Sequence, residues 1–535
     1  MSNVNMTTVY LLDVPLENDY KNTLYFTNES EQQTYFNSKK VKSYTNFSYQ
    51  RKDNFIRVPD HFDNLMNCNY VMYRNTAYSN KWFYAFITEM KYVDDGRTDV
   101  YIETDCIQTW FFDFEVKASF VEREHCSDDT IGKHIVPESL ESGEYICHSH
   151  ITNARLDELL TDCKMVIASA IAPYDDDKVP VGGKYNGIYG GVGYFIAESK
   201  TQVQALLHSA ASRGITDAIT GLFMCPTFLL NEKQETVGSS LYHIVGQSNE
   251  AVQEMITIPD SKTNLGSYTP RNKKLLTNPY QYLLVSNNNG GSAIYNFEDF
   301  EPVNVEEELT GTTVKELQFA LEGCICPGGS IKLIPYGYKG AAINDEESIN
   351  LGKYPICSYA VDMYTNWLTQ NSVNIALDVA TAGVSLATGN VAGVVGGTLS
   401  IGSTLAQVHK ASLQPYQARG NLNSGDVIFA AGKNTFHFYY MTIKKEFAQI
   451  IDGYFDMFGY KCHKVKVPNK AHRSRWWYTK TIDVNIDGAI PNKDMQVIKD
   501  CYNNGITFWR NANEIQDYSL SNGIAITDGA VTDID

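Results

Sequence analysis

The sequence predicts a mainly β protein with some α (α+β), carrying one long apolar loop insertion. Three observations predict this class. Of 535 residues, 35 are tyrosine and only 16 are proline, a mix that suits strands and hairpins. Short runs of alternating apolar and polar residues recur on either side of Gly-, Asp- and Asn-rich turns. Residues 379–408 carry no charge, whereas elsewhere a charge occurs every few residues.

Residues 1–125 read as a β-rich domain. Two strand-like runs, 81–93 and 97–105, flank Asp94-Asp95-Gly96 and predict a hairpin. A short helix is expected around His61 and Phe62. The apolar-aromatic run 106–116 leads into the segment 119–125. Residues 126–357 read as a second α+β region. It holds a buried strand at 164–172, a Gly-rich aromatic stretch at 182–195 and an amphipathic helix at 200–214 closed by Gly214. A hairpin follows at 280–297, then strands on both sides of Pro327-Gly328-Gly329 within 314–338.

Residues 358–415 begin as a helix and run into the apolar stretch, and 416–535 form an αβ region. In the latter, 434–443 is a strand and 444–459 a helix. That helix is expected to bury one face made of Phe447, Ile450, Ile451, Tyr454, Phe455 and Phe458, spaced at helical intervals. A strand at 476–487 and a helix from Pro491 to Gly505 complete the chain. Structured sequence on both sides makes 379–408 an insertion. Thirty residues suffice to cross a bilayer core, which takes about 20 helical residues. Glycines at 383, 389, 393, 396, 397 and 402 interrupt it, so a buried helical hairpin and a conditional membrane-inserting loop both fit its composition.

The net charge is −18, which argues against a nucleic-acid clamp but suits a channel along which DNA slides. The acidic excess lies within 1–410. In the C-terminal part, Lys461, Lys464, Lys466, Lys470, Arg473, Arg475 and Lys480 form a run without an acid, next to Trp476, Trp477 and Tyr478. It reads as a subunit contact, a DNA contact or a solvated hairpin. Eleven cysteines, an odd number, indicate free thiols, and the N-terminal segment has no signal-peptide pattern.

No catalytic constellation is recognisable, neither Gly-x-Ser-x-Gly, His-Glu-x-x-His nor a phosphate loop. Gly190-Gly191-Val192-Gly193 lacks dinucleotide-loop spacing. His125-Cys126 and Cys147-His148-Ser149-His150 lack zinc-like spacing and read as polar loop. Cys324 and Cys326 share a strand face and suit packing. Asp175-Asp176-Asp177 reads as an acidic turn. No catalytic residue, metal or cofactor is expected, although paired carboxylates for glycoside hydrolysis depend on spacing invisible in sequence.

Several patches carry a family resemblance: YIETDCIQTW (101–110), SFVEREHCSDDTIGKHIVPESLESGEY (119–145), the 182–195 stretch and the segments GYKCHKVKVPN, RWWYTKT, NIDGAIP and NNGITFW between 459 and 509. In order and spacing they resemble the tail knob, or distal tail tube, proteins of short-tailed bacteriophages of Gram-positive hosts. The resemblance implies β-barrel-like tail-tube domains assembled as a homohexameric ring, made in the host cytoplasm and placed at the distal end of the virion tail with other tail proteins. It implies an acidic lumen for double-stranded DNA, and apolar loops that enter the host cytoplasmic membrane and form a pore. The side chains expected to enter lipid are Ile375, Leu377, Val379, Val384, Leu386, Val391, Val394, Val395, Leu399, Ile401, Leu405 and Val408. Gly383, Gly389, Gly393, Gly396, Gly397 and Gly402 would supply flexibility, and Asp378 would mark the lipid boundary. A wall-degrading tail hydrolase and a receptor-binding tail component are the competing readings. The first requires a carboxylate cleft and the second has no use for the insertion.

Overall fold

Side chains alternate between the two faces of a strand, and this chain repeats that alternation in both of its compact units. The computed structural model describes residues 7–47, 54–76, 79–172, 184–185, 188–189, 193–197, parts of 202–260, 263–306, 313–323, 325, 330–339, 347–351, 356–357, 435–470 and 473–524. It is mainly β, with a few helices. One unit gathers three stretches of chain, Met1–Gly143, Tyr268–Leu276 and Lys445–Asp535; the other comprises Glu144–Ser267 and Thr277–Lys444. These units cut across the four segments read from the sequence.

In the first unit, a six-stranded antiparallel sheet runs in the order Lys40–Phe47, Thr7–Leu12, Tyr70–Asn75, Trp82–Asp94, Arg97–Thr104 and Phe55–Val58. The expected hairpin is present, with Asp94 paired to Arg97. After it, buried Asp105 caps a short helix, Cys106–Trp110, through Gln108 N. The expected turn near His61 is the 3₁₀ segment Phe62–Leu65. A second, five-stranded sheet orders Asn22–Leu24, Ile506–Trp509, Trp476–Ile482, Ser119–Glu124 and Tyr460–Lys466. Strands from both ends of the chain therefore share one sheet. The strand expected over 476–487 breaks at Asp483, whose φ is 53°, and resumes as Ile486–Gly488, paired with Phe114–Val116.

Helices of this unit include Glu29–Ser38, Lys445–Phe458 and Asn492–Asn504. The buried side of Lys445–Phe458 is Ala448, Ile451, Asp452, Phe455 and Asp456, and Ile450 is 70% exposed. The apolar face expected from Phe447, Ile450 and Tyr454 is thus rotated. Two buried carboxylates sit on the inner face, where a count of apolar residues does not look.

The second unit holds antiparallel sheets of six, four and five strands, and a small two-stranded sheet. Cys163–Ser169 is central in the six-stranded sheet and almost wholly buried. Gln281–Ser286 and Ser292–Tyr295 form the expected hairpin, and Thr313–Gly323 pairs with Ile331–Tyr336 as expected. In Gln281–Ser286 every second side chain is buried, and Leu283, Tyr295 and Tyr440 join one core. The helices expected at 200–214 and 358–378 lie partly and wholly outside the described residues.

Gly459 ends the helix Lys445–Phe458 with φ +64°, donating its N–H to Phe455 O at 2.8 Å. A Cβ there would lie 2.1 Å from Glu124 O. Gly459→Ala is expected to destabilise this unit by about 2 kcal/mol or more. In urea unfolding, this reads as a lower midpoint at unchanged slope.

Candidate functional site

The expected membrane loop, with every apolar and glycine residue assigned to it from Ile375 to Val408, lies outside the described residues. Its two attachments to the second unit do not. Before it, Ile356–Cys357 forms the edge of the six-stranded sheet, antiparallel to Ile219–Pro226, with Phe223 opposite Ile356. After it, His437–Ile443 is an inner strand of the four-stranded sheet, between Tyr145–Ile151 and Gln281–Ser286. Phe436, Phe438 and Tyr440 are buried in the core. Thr435 Oγ1 donates to Asp157 Oδ1 at 2.5 Å, and the Tyr440 hydroxyl donates to Pro259 O at 2.6 Å. Among the described residues, no helix is long and apolar enough to cross a membrane.

The first unit contains a buried polar cluster. Asp452 is fully buried and accepts four hydrogen bonds from the segment Tyr268–Leu276. Its Oδ2 takes the Tyr268 hydroxyl at 2.6 Å and Arg271 N at 2.8 Å; its Oδ1 takes Asn272 N at 3.0 Å and Asn272 Nδ2 at 2.8 Å. One turn on, Asp456 accepts from Asn272 Nδ2 at 2.8 Å and pairs with the Arg271 guanidinium. Burial raises the Asp456 carboxyl above the usual range, against the pull of Asn272 and Arg271. Buried Lys274, on the same segment, meets Glu138 at 2.5 Å and Val136 O at 2.8 Å. Glu138 also pairs with Arg123 and accepts from Lys461 N at 3.0 Å.

The run of basic residues is divided among internal partners. Lys466 pairs with buried Glu124 at 2.5 Å, Arg475 with Glu514 at 2.6 Å and Lys480 with Glu122 at 2.8 Å. Arg473, 6% exposed, donates to Cys126 O and to Asn522 O. Arg473 is therefore buried with internal partners, where the sequence reading offers it as a contact for DNA or a neighbour. Lys464 and Lys470 remain exposed, and Lys461 is half-buried.

His125 and Cys126, read from sequence as loop, are core groups. Tyr478 N donates to His125 Nδ1 at 2.7 Å, and Nε2 lies 3.0 Å from Asp456 O. Nδ1 is thereby the acceptor and Nε2 carries the proton. Burial, helped by Arg473, lowers the imidazole pKa to about 3. Cys147, His148 and His150 lie on the strand Tyr145–Ile151, not in a loop, and His150 stacks on His437 and Tyr439. Among the described residues no group of three or more His, Cys, Asp or Glu is arranged to hold a metal ion. Cys324, Cys326 and Asp175–Asp177 lie outside the described residues, as does most of the 190–193 glycine run.

A family model described as the Bacillus phage phi29 tail knob protein gp9, C-terminal domain, matches residues 246–523, more than half of the chain. The chain belongs to the tail knob protein family. A second model, the caudoviral major tail protein N-terminus, matches residues 5–115. The tail knob protein gp9 of Bacillus phage PZA is 25% identical over 593 aligned residues, covering 96% of this chain and 97% of that protein. The gp9 of Bacillus phage phi29 is 24% identical over 605 residues at the same coverage. The tail knob protein gp12 of bacteriophage C1 superposes with a TM-score of 0.64 at 15% identity, over 97% of this chain and all of that one; this likeness shows the fold. This tail knob protein is a structural component of a phage virion, as its relatives are.

The polar cluster escaped sequence reading. Its one local signal is the Asp452/Asp456 pair, four residues apart on an otherwise apolar helix face. Replacing Asp452 with Ala leaves buried donors unpaired. The expected cost is about 3–5 kcal/mol, with faster hydrogen exchange at the Arg271 and Asn272 amides.

His125 is expected to stay neutral at pH 5, with the proton on Nε2, by ¹⁵N histidine NMR. The sign of its linkage follows from the lowered pKa. An unfolded histidine takes up a proton near pH 6.5 and the folded one near 3. Its contribution to stability is therefore full above 6.5 and is lost as the pH falls towards 3.

Proposed function

We propose that this tail knob protein forms the distal tail tube as a homohexameric ring, through which the genome leaves the virion. Its apolar segments enter the host cytoplasmic membrane and make a pore for DNA. It acts as a conduit, without turnover. The observation that carries this reading is the uncharged stretch 379–408, set between two strands that are both built into sheets of one unit, Ile356–Cys357 and His437–Ile443.

An uncharged apolar segment of thirty residues is tolerated in water only while it is covered. Its burial is favoured by about 25 cal/mol per Å² of apolar surface, whether protein or lipid provides the cover. Its glycines permit close helix approach in either setting and lower the cost of changing conformation. A charge of −18 on each copy gives an assembled ring a strongly negative field, which keeps passing DNA from sticking. Lys461, Lys464 and Lys466, on the edge strand of the five-stranded sheet, together with Lys470 and Arg475, are proposed to meet acidic faces of neighbouring copies, or DNA. β-barrel-like closure of the tube domains and contact with other tail proteins belong to the same proposal.

Deletion of 379–408 tests the pore. The intact protein is expected to release dye from anionic liposomes and the deletion variant is not, while both assemble into rings by negative-stain electron microscopy. Equal release by the two proteins, or release by neither, contradicts the reading.

A further inference from the structure

The first unit carries a cleft that neither the tail knob family nor the proposed pore accounts for. It has a volume of about 220 Å³, and its walls include Tyr25, Phe111, Phe112, Phe114 and Trp477, with Lys470 beside them. The rings brace one another. Tyr25 meets Phe111 edge-on at 5.7 Å and Trp477 edge-on at 4.8 Å, and Trp477 stacks on Phe508 at 5.5 Å. Buried Trp477 and Phe508 form the floor, and Phe112, 37% exposed, stands at the rim. Phe112 and Phe114 also line an adjoining open hollow with Asp113, Glu115 and Asp487. The two depressions share Phe112 and Phe114 in their walls.

The chemistry of the walls selects a ligand class. The volume is below the ~300 Å³ lower end for drug-sized ligands, so the cleft suits roughly one substituted six-membered ring. A wholly apolar ligand would strip water from Lys470 and the carboxylates without replacing its hydrogen bonds. An anion would meet a balanced set of charges and not a basic one, since Lys470, Lys81 and Lys117 stand beside Asp113, Glu115 and Asp487. An organic cation would face Lys470, and two of the three carboxylates are already compensated, Asp113 by Lys81 and Glu115 by Lys117 at 2.5 Å. A neutral pyranose meets none of these objections. Its C–H faces pack on aromatic rings, and its hydroxyls donate to carboxylates and accept from an ammonium. Glu115 and Asp487 sit directly opposite each other across the pairing of Phe114–Val116 with Ile486–Gly488, which puts both carboxylates on one face of that ribbon.

We propose that this cleft is a carbohydrate-binding site for one neutral pyranose ring of a glycan. The aromatic walls supply the platform, and Lys470, Glu115 and Asp487 contact the hydroxyl edge. The site is independent of the pore proposal, because every residue named lies outside 358–434.

Saturation-transfer NMR on the full chain tests it, with glucose, galactose, N-acetylglucosamine and N-acetylgalactosamine as probes. At least one is expected to give saturable transfer with a Kd on the order of 1 mM. Phe112→Ala and Asp487→Asn, both at solvent-facing positions, are expected to weaken binding by about fivefold or more, with unfolding midpoints unchanged. Transfer from none of the four sugars overturns the proposal. So does transfer undiminished in both variants, or saturable quenching of tryptophan fluorescence by tetramethylammonium in place of any sugar.

Discussion

The shortest stretch of the first unit is anchored on a buried carboxylate, Asp452. Three separate stretches of chain make up this unit, and the shortest, Tyr268–Leu276, arrives and departs through sequence belonging to the other unit. Of its nine residues, Leu275 and Leu276 are buried apolar side chains, and most of the rest are polar. What holds them is Asp452, which accepts two backbone N–H groups, one hydroxyl and one amide from the segment. A buried charge is stabilising only when its hydrogen-bonding capacity is filled, and here it is. Asp456 extends the arrangement by one helical turn. Its backbone carbonyl takes the His125 and Trp476 ring N–H groups, so one helix turn organises the segment, the five-stranded sheet and a neutral core histidine.

This internal use of polar groups alters the meaning of the basic run near the C-terminus. Charges in a run are conspicuous in a sequence, but a sheet sends successive side chains to opposite faces and beside different neighbours. Lys466, Arg475 and Lys480 each meet a carboxylate brought from a distant stretch of the same unit. Arg473 is drawn inward to Cys126. These pairs leave a smaller basic surface than the sequence suggests.

Elements written in local pattern were legible. The Asp95-Gly96 hairpin, the strand around Val166, the hairpin closed at 287–291 and the helix from Pro491 to Gly505 all follow from alternation, turn chemistry or capping, and the structure has each of them. The family was legible too, from ordered patches spread along the chain. What escaped was set by tertiary context. The inner face of the helix 445–458 carries aspartates whose partners lie some 180 residues earlier. His125 looks like a loop residue until Tyr478 N and Asp456 O are placed against its ring. The union of 1–143 with 445–535 has no local signature, since strand partners far apart in sequence leave no periodicity to read. The cleft beside Trp477 draws its walls from four separated stretches, and no single one of them announces it.

A sheet-built body, tied by buried polar contacts, thus carries an uncharged segment whose flanks lead into sheet strands on both sides. The central claim is that lipid engages the segment while the body keeps its fold. Hydrogen exchange followed by mass spectrometry, with and without anionic vesicles, tests this most directly. The account predicts new protection confined to 379–408, with exchange in Ile356–Cys357, His437–Ile443 and the Asp452 helix unchanged. Unchanged exchange in 379–408, or loss of protection in those strands and that helix when vesicles are added, would contradict it.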